Sequence, residues 1–483
     1  MAFIIPLALV LVYALRVCYN LLLHPLARYP GPKLRGATRL PWFYGLITGQ
    51  QHIILKQLHD EYGSVVRIAP NKLSYTSANA WRDIYGHKKA GEPEMPKDKQ
   101  WYVPDPNAQQ IIFSDRERHS HFRRLLSHGF SDRALRGQEP LLRKYTDLLI
   151  ANLSKASKSG QPVNVVQWYN SITFDIIGDL TFGEPFGCLE TGILHPWIRD
   201  MFLTIRGTLY LRLGQDLFGQ YIHIVRKQFA SFGAIKKREA HLNFTREKVT
   251  RRVNSDDHRP DFFEAILRQP EGKGMTFPEL LSNSAILVLA GSETTATFLS
   301  GVTYLLLTNP DKLQRLTDEV RHAFRSVDEI TIEKTSRLSY LQAVIEEGLR
   351  FYPPVAIALP RQVHAGGAQI DGGFVPEGTS VGVTHYAAYH SAANFEKPDE
   401  FLPERFLDPS YHDNRDVFQA FSVGPRNCIG KNLAYAEMKL ILSRLVFHFD
   451  MTLNKESQGW INHETYLVWE KPPLGVHLTE VGN

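Results

Sequence analysis

The sequence predicts one large, mainly α-helical domain with a small β portion, at residues 25–483, behind an N-terminal membrane anchor at residues 1–24. Three observations carry that prediction. Residues 3–23, FIIPLALVLVYALRVCYNLLL, form an apolar run of about the length that crosses a bilayer. Residues 280–307 form a longer apolar run with a single charge, Glu293, closed by Asn309-Pro310. Most other periodic segments read as helices, and no Ser/Gly-rich linker, charged tail or internal repeat divides the chain.

The chain has 483 residues, 43% of them hydrophobic, which is ample for a large core. The net charge of +5 falls far short of a nucleic-acid binder's signature, so no nucleic-acid partner is expected. Cysteines at 18, 188 and 428 make neither a disulfide framework nor a zinc site, and free thiols point to a reducing compartment.

Taken in order, the 3–23 run lacks the basic start and small-residue cleavage site of a signal peptide. Arg28, Lys33, Arg35 and Arg39 follow it, a positive flank that places the body of the protein on the cytosolic side. Tyr29-Pro30-Gly31-Pro32 reads as a stiff joint. Residues 53–62 have the pattern of an amphipathic helix, and 64–68 and 72–76 read as strands joined by Ala69-Pro70-Asn71. Residues 86–110 are rich in Gly, Pro and Lys and form a long irregular stretch. In 116–131, helical spacing puts Arg123 one turn past His119 on the same face. Residues 140–260 read as several helices, and Cys188 as structural.

The 280–307 run could be a second membrane span by hydropathy alone. Its AGSETT motif, Ala290 to Thr295, and its clean stop instead mark a helix buried at the centre of a large domain. Glu293 and Thr294 inside such a helix are costly unless satisfied or used. Thr294 can bond back to the Ala290 carbonyl. Residues 340–350 form another helix, stopped by Pro353-Pro354, with Glu347 and Arg350 on one face. Residues 359–363 and 369–383 look like strands broken by glycine turns, and 466–478 like a last hairpin.

The chemistry concentrates at FSVGPRNCIG, residues 421–430. Cys428 stands at the mouth of the helix that begins near Ile429. Free N–H groups and the helix dipole there favour a thiolate and lower the thiol's pKa. Gly424 and Gly430 let a flat object approach the sulfur, and Arg426 offers a cation suited to a carboxylate. A planar, anionic, metal-bearing ligand fits this constellation, and haem iron with an axial thiolate is one. From this chain's residue frequencies, a chance F-x-x-G-x-R-x-C-x-G is on the order of one in 10⁴.

That pattern is the haem-binding signature of the cytochrome P450 family, which this chain resembles at every fixed position of it. The resemblance runs over essentially the whole chain and implies the cytochrome P450 fold. Haem b would lie between the helix of Glu293-Thr294 and the helix that starts at Cys428. It implies Cys428 as the metal ligand, with Phe421 and Gly430 at the cofactor. Arg426, Arg123, Arg361 and His119 would serve the propionates, His119 standing where the family usually has tryptophan. Thr294 and Glu293 would be catalytic, passing protons to dioxygen, with Gly291 letting the helix open opposite the iron. Glu347, Arg350 and Arg405 of the PERF segment (residues 403–406) would form a buried structural charge network.

The implied function is that of a haem-thiolate monooxygenase. It would insert one oxygen atom of O2 into a lipophilic small molecule, with electrons from NADPH through a flavoprotein NADPH-cytochrome reductase and cytochrome b5 as an additional partner. Lys431, Lys439 and the arginines of 116–133 are reductase contacts on this view. The segments 86–113, 195–225, 286–298, 355–362 and 459–467 would line the substrate pocket. The stretches NPDKLQRLTDEVRHAF and RLSYLQAVIEEGLRFYPPVAIALPR resemble fungal members that tailor secondary metabolites, so a terpenoid, polyketide or alkaloid is expected, on the endoplasmic reticulum membrane. The alternatives are a haem-thiolate isomerase or dehydratase that needs no reductase, and a haem-binding sensor without turnover. Relatives of the first kind often lack the Glu-Thr pair present here.

Overall fold

The computed structural model describes residues 4–89, 91–102, 109–198, 207, 209–210, 214, 232–270 and 272–482. Helix α1 (Ile4–Cys18) runs into a single π-helical turn at Tyr19–Leu23. Among the described side chains of this segment, Leu7, Val10, Leu11 and Leu15 of the helix and Leu22 and Leu23 of the turn are all more than half exposed. Residues 10–23 form an apolar helix shorter than a full span. The turn is tied to the body. Asn20 Nδ2 donates to Ala37 O at 2.9 Å, and Arg67 Nη1 donates to Asn20 O at 2.9 Å. In the Pro-Gly joint, Pro30 O accepts from Arg67 N at 2.7 Å.

The chain then forms α2 (Gln51–Tyr62), β1 (Val65–Ala69), β2 (Lys72–Tyr75) and α3 (Ala78–Tyr85). Past the irregular stretch come α4 (Arg116–Leu126), α5 (Asp132–Ser157), β3 (Val163–Asn164) and α6 (Val165–Phe182). Caps explain several starts. Asp115 accepts from Arg118 N at 2.9 Å, and Ser131 from Ala134 N at 3.2 Å. Gly183, at φ +78°, ends α6 in the left-handed region. Helix α7 (Phe232–Val253) follows. Most of the 195–225 segment expected over the pocket lies outside the described residues, as do 103–108 of the irregular stretch.

Helix α8 (Phe277–Thr308) is the long apolar helix. Pro278 sits in its first turn, and Glu279 reaches back to Thr276 N at 2.9 Å. It ends at Asn309, where Pro310 opens α9 (Pro310–Ala323). Two-thirds of its most apolar stretch is buried, the condition of a core helix rather than a membrane span. Its main neighbour is α6. The two approach so closely at Gly291 that a Cβ there would stand 2.5 Å from Ile177 Cδ1. This corrects the role expected for Gly291: α8 runs unbroken through 290–295, and the missing side chain makes room for α6.

Helix α10 (Ser339–Phe351) precedes β4 (Arg361–Gln362), β5 (Ala368–Ile370), β6 (Gly373–Val375) and β7 (Ser380–Val383). Then come α11 (Lys431–His448), β8 (Phe449–Leu453), β9 (Thr465–Tyr466), β10 (Val468–Trp469) and β11 (Gly475–Glu480). One sheet has the order β1-β2-β7-β4, with β2 and β7 parallel. A second has the order β3-β11-β8. The single hairpin expected over 466–478 is therefore two structures. β9 and β10 close on each other around Leu467, at φ +76°. Pro472 and Pro473 then break the strand, and β11 leaves to pair with β8 and β3.

Candidate active site

Cys428 sits two residues ahead of Gly430, the N-cap of α11. Its amide donates to Phe421 O at 2.9 Å, and Asn427 N donates to Gly424 O at 3.2 Å, so the loop folds back on itself. Gly424 has φ +76°, and a Cβ there would collide with the Tyr85 carbonyl of α3; the position requires glycine on both counts. Arg123 on α4 clamps the loop from outside, donating to Asn427 O at 2.7 Å and to Asn427 Oδ1 at 2.5 Å. At Gly430 a Cβ would stand 3.9 Å from the Cys428 sulfur and 3.7 Å from the Phe130 ring. Glycine leaves that approach to the sulfur free. The Phe421 ring lies 5.1 Å from Tyr435 and under Lys431 Nζ at 5.8 Å.

The Cys428 side chain is accessible, yet protein atoms enclose it on all sides, so it borders an internal space rather than the outer surface. Burial pushes the thiol above its usual pKa; the Gly430 amide, Arg123 and Lys431 pull it back only in part. The lowering expected at a helix mouth is thus corrected: desolvation outweighs one amide and two cations.

A cluster of basic groups gathers beside α4. His119 is buried, and its imidazole is held down to about 3, first by desolvation and then by Arg426, Lys97, Arg123 and Arg361. It is therefore neutral at pH 7, with one N–H to donate. Arg426 Nε meets Glu94 Oε1 at 2.6 Å, and its Nη1 donates to Ser114 O at 2.9 Å. Arg361 is buried; its Nη1 is 3.8 Å from Glu94 Oε1 and has no hydrogen-bond partner. Lys97 pairs across a β-bridge with Arg361, and its ammonium lies 4.3 Å from the Tyr102 ring centroid. Burial and the neighbouring arginines hold it well below the usual lysine range. Glu94 is the one carboxylate named among these contacts. Several enclosed cations, one with an orphaned nitrogen, fit a ligand that carries two carboxylates. The residues present therefore suit haem: Cys428 for the iron, and Arg361, Arg426, Lys97 and His119 for the propionates, while Arg123, also expected at a propionate, donates through both terminal nitrogens to Asn427.

The Glu347 carboxylate is fully buried between two buried arginines. Arg350 grips it twice, Nε to Oε2 at 2.7 Å and Nη2 to Oε1 at 2.8 Å. Arg405 Nε lies 3.1 Å from Oε2 and its Nη1 2.8 Å from Asp413 Oδ2, while Leu402 N donates to Glu347 Oε1 at 2.8 Å. Arg350 also donates to the carbonyls of Tyr389 and Pro398, both at 2.8 Å. The cluster ties α10 to the segment that leads into the cysteine loop.

Helix α8 is buried throughout 295–306, while upstream Leu281, Ser282, Ala285, Ile286, Leu289, Ala290, Gly291 and Thr294 keep some accessible surface; Ile286, Ala290 and Thr294 lie one turn apart within that open part. Thr294 Oγ1 donates to Ala290 O at 2.8 Å. Glu293 points elsewhere, into an ion pair with Lys471. Next to them, Thr295 bonds Glu437 of α11, a buried carboxyl pushed up to about 8 by desolvation. Glu94, Lys97, Asn427, Glu437 and Lys471 escaped the reading of the sequence. The first two fall in a stretch without periodicity, Asn427 fills a variable position of the cysteine motif, and Glu437 and Lys471 mark no motif.

A sulfur presented by a glycine-shaped loop, with a cationic cradle beside it, fits a haem-thiolate enzyme. The chain belongs to the cytochrome P450 family: the family model described as Cytochrome P450 matches residues 34–478. Curated relatives from fungi align over nearly the full length. Cytochrome P450 monooxygenase astJ of Aspergillus oryzae is 43% identical over 96% of this chain and 94% of its own. Cytochrome P450 monooxygenase prhB of Penicillium brasilianum is 43% identical over 96% and 95%. Averantin hydroxylase of Dothistroma septosporum is 43% identical over 96% and 88%. The enzyme class is that of the cytochrome P450 monooxygenases, with haem held by a cysteine thiolate and O2 as co-substrate.

Proposed function

We propose that the protein hydroxylates a lipophilic secondary metabolite, with electrons from NADPH delivered by a flavoprotein reductase. The observation that carries this is the accessible stripe of α8, apolar at Ile286 and Ala290 and ending at the Thr294 hydroxyl. It offers a greasy wall for substrate and one proton-bearing group. When bound through Cys428, haem supplies the oxidation of an unactivated C–H bond with O2. The chain does the rest. Arg361, Arg426, Lys97 and His119 hold the carboxylates, Arg123 fixes the cysteine loop, and the apolar stripe orients substrate and excludes water. Thr294 and Glu293 both serve proton delivery, Thr294 from the accessible part of α8 and Glu293 from its buried side. The Glu347, Arg350 and Arg405 network keeps the loop in place.

The relative named Averantin hydroxylase is, by that name, a hydroxylase, which favours hydroxylation as the reaction here. A spin-shift binding screen against fungal polyketides, terpenoids and alkaloids, followed by mass analysis of turnover, tests it. No spin-shifting ligand in any of the three classes would defeat the reading. Exposed Arg116, Arg124, Arg133 and Lys431 surround the loop side of the domain and suit an acidic reductase face, with cytochrome b5 as a second donor.

Thr294→Ala is expected to leave haem content intact and raise hydrogen peroxide released per NADPH consumed by about tenfold or more, a loss within the range of one general-acid group. An unchanged ratio removes Thr294 from proton delivery, and a reaction independent of NADPH supports an isomerase instead.

The exposed apolar face of α1 supports residues 1–24 as the anchor, with the domain of 25–483 on the cytosolic side of the endoplasmic reticulum. Deletion of residues 1–24 is expected to move most of the protein from the membrane to the soluble fraction. Full retention on membranes would place the anchor elsewhere.

A further inference from the structure

Glu293, in the middle of α8, is 1% exposed, and its Oε1 takes the ammonium of Lys471, whose side chain is 4% exposed. The Thr297 hydroxyl donates to the same Oε1 at 3.1 Å and accepts from Lys471 Nζ at 2.8 Å. The three groups close a triangle. Glu293 Oε2, by contrast, is buried with no partner. One carboxylate oxygen is saturated and the other is left for a proton. Lys471 follows β10, and that segment is itself fixed, because Trp469 Nε1 donates to Pro353 O at 2.8 Å.

The neighbouring titratable groups are accounted for. The Tyr352 hydroxyl, which feels the Glu293 charge, meets His463 Nε2 at 2.6 Å. His463 Nδ1 lies 2.6 Å from Trp460 O, so Nδ1 carries the proton and Nε2 accepts from the tyrosine. His463 in turn feels Lys471 and Glu464. On α6, Asp175 accepts from Cys188 N and Leu189 N, and Asp179 is bound by Tyr145 and Arg259. On α11, Glu437 bonds Thr295. Among the described residues, Lys471 is the cation in contact with Glu293.

We propose that Lys471 positions Glu293 for proton delivery, engaging Oε1 and leaving Oε2 as the oxygen that takes up and releases the proton. This rests on the reading of Glu293 and Thr294 as the proton path. The physical reason is the cost of a lone buried carboxylate, which becomes neutral when no partner faces it. Desolvation already raises Glu293 above the usual carboxylate range, and Lys471, then Thr297, oppose that rise. Without the ammonium, Glu293 keeps its proton at neutral pH and stops passing it on. The C-terminal segment thereby controls a group on the central helix.

The test uses the full-length, haem-loaded protein and Lys471→Met, Lys471→Arg, Glu293→Gln and the double variant K471M/E293Q. Infrared difference spectra at neutral pH are expected to show, beyond the band of the protonated Glu437, an additional protonated-carboxyl C=O band in Lys471→Met that the native protein, Lys471→Arg and the double variant lack. In the reductase-reconstituted enzyme without substrate, the pH profile of peroxide released per NADPH is expected to move up by about 1–3 units in Lys471→Met. Lys471→Arg should restore it, which a merely structural role would not require. Lys471→Gln replaces the Met variant if that one fails to load haem. A missing band and an unmoved profile, while Glu293→Gln still raises peroxide, overturn the role of Lys471 and leave the proton path standing. A Glu293→Gln variant with native peroxide release overturns both.

Discussion

Cys428→Ala is expected to abolish monooxygenase activity and the red-shifted Soret band of the reduced, CO-bound protein, while leaving the fold in place. The loop does not depend on the sulfur for its shape. The Cys428 amide, the Gly424 turn and the Arg123 clamp on Asn427 all remain in the variant. The basic cluster around His119 also remains, so haem is still taken up through its carboxylates. No other thiol can substitute. Cys188 is buried beneath α6, with its thiol pushed up to about 12, and Cys18 ends the N-terminal helix. The loss is therefore one of iron ligation alone, and the axial thiolate is what moves the Soret band and drives O–O cleavage. Persistence of the red-shifted band in the purified variant would disprove the assignment.

Glu347→Ala is expected to be the most damaging substitution away from the haem. It leaves two buried cations facing each other: Arg350 loses both of its bonds to the carboxylate, and Arg405 keeps the Asp413 carboxylate and the Lys397 carbonyl. Breaking a buried pair typically costs about 3–5 kcal/mol, most of it from the stranded charge, against a total stability of roughly 5–15 kcal/mol. Arg405→Met should cost less, because Glu347 still holds Arg350. Denaturant unfolding and haem content measure both. A Glu347→Ala variant within about 1 kcal/mol of the native protein would mean that water reaches the cluster.

The features that the sequence made legible share a physical cause. The central helix could be read at 280–307 because a buried helix must be apolar all round, and its stop lies in the sequence as Asn309-Pro310. The cysteine loop could be read because glycine positions with a forced backbone leave a fixed spacing. Contacts made across the chain left no such mark. Lys471 pairs with Glu293 through the tertiary fold, and nothing near either residue announces the other. Glu94 and Lys97 come from a segment without periodicity, although they stand at the centre of the basic cluster. At Cys428 the amides and cations of the helix mouth are visible in the sequence, but the desolvation that outweighs them is a property of the folded loop.

The sheet that β11 completes also constrains how the molecule is made. Its last strand pairs with β3, from the first half of the chain, and with β8. Lys471 lies just upstream of that strand. As the polypeptide emerges from the ribosome, α5, α6 and the central helix are complete long before their closing strand exists. Their apolar faces must be shielded through that interval, when loop-closure entropy still opposes the long-range pairing. Synthesis in the cell should therefore depend on chaperones, and trimming the chain into β11 should cause aggregation rather than a folded protein with a slightly weaker sheet.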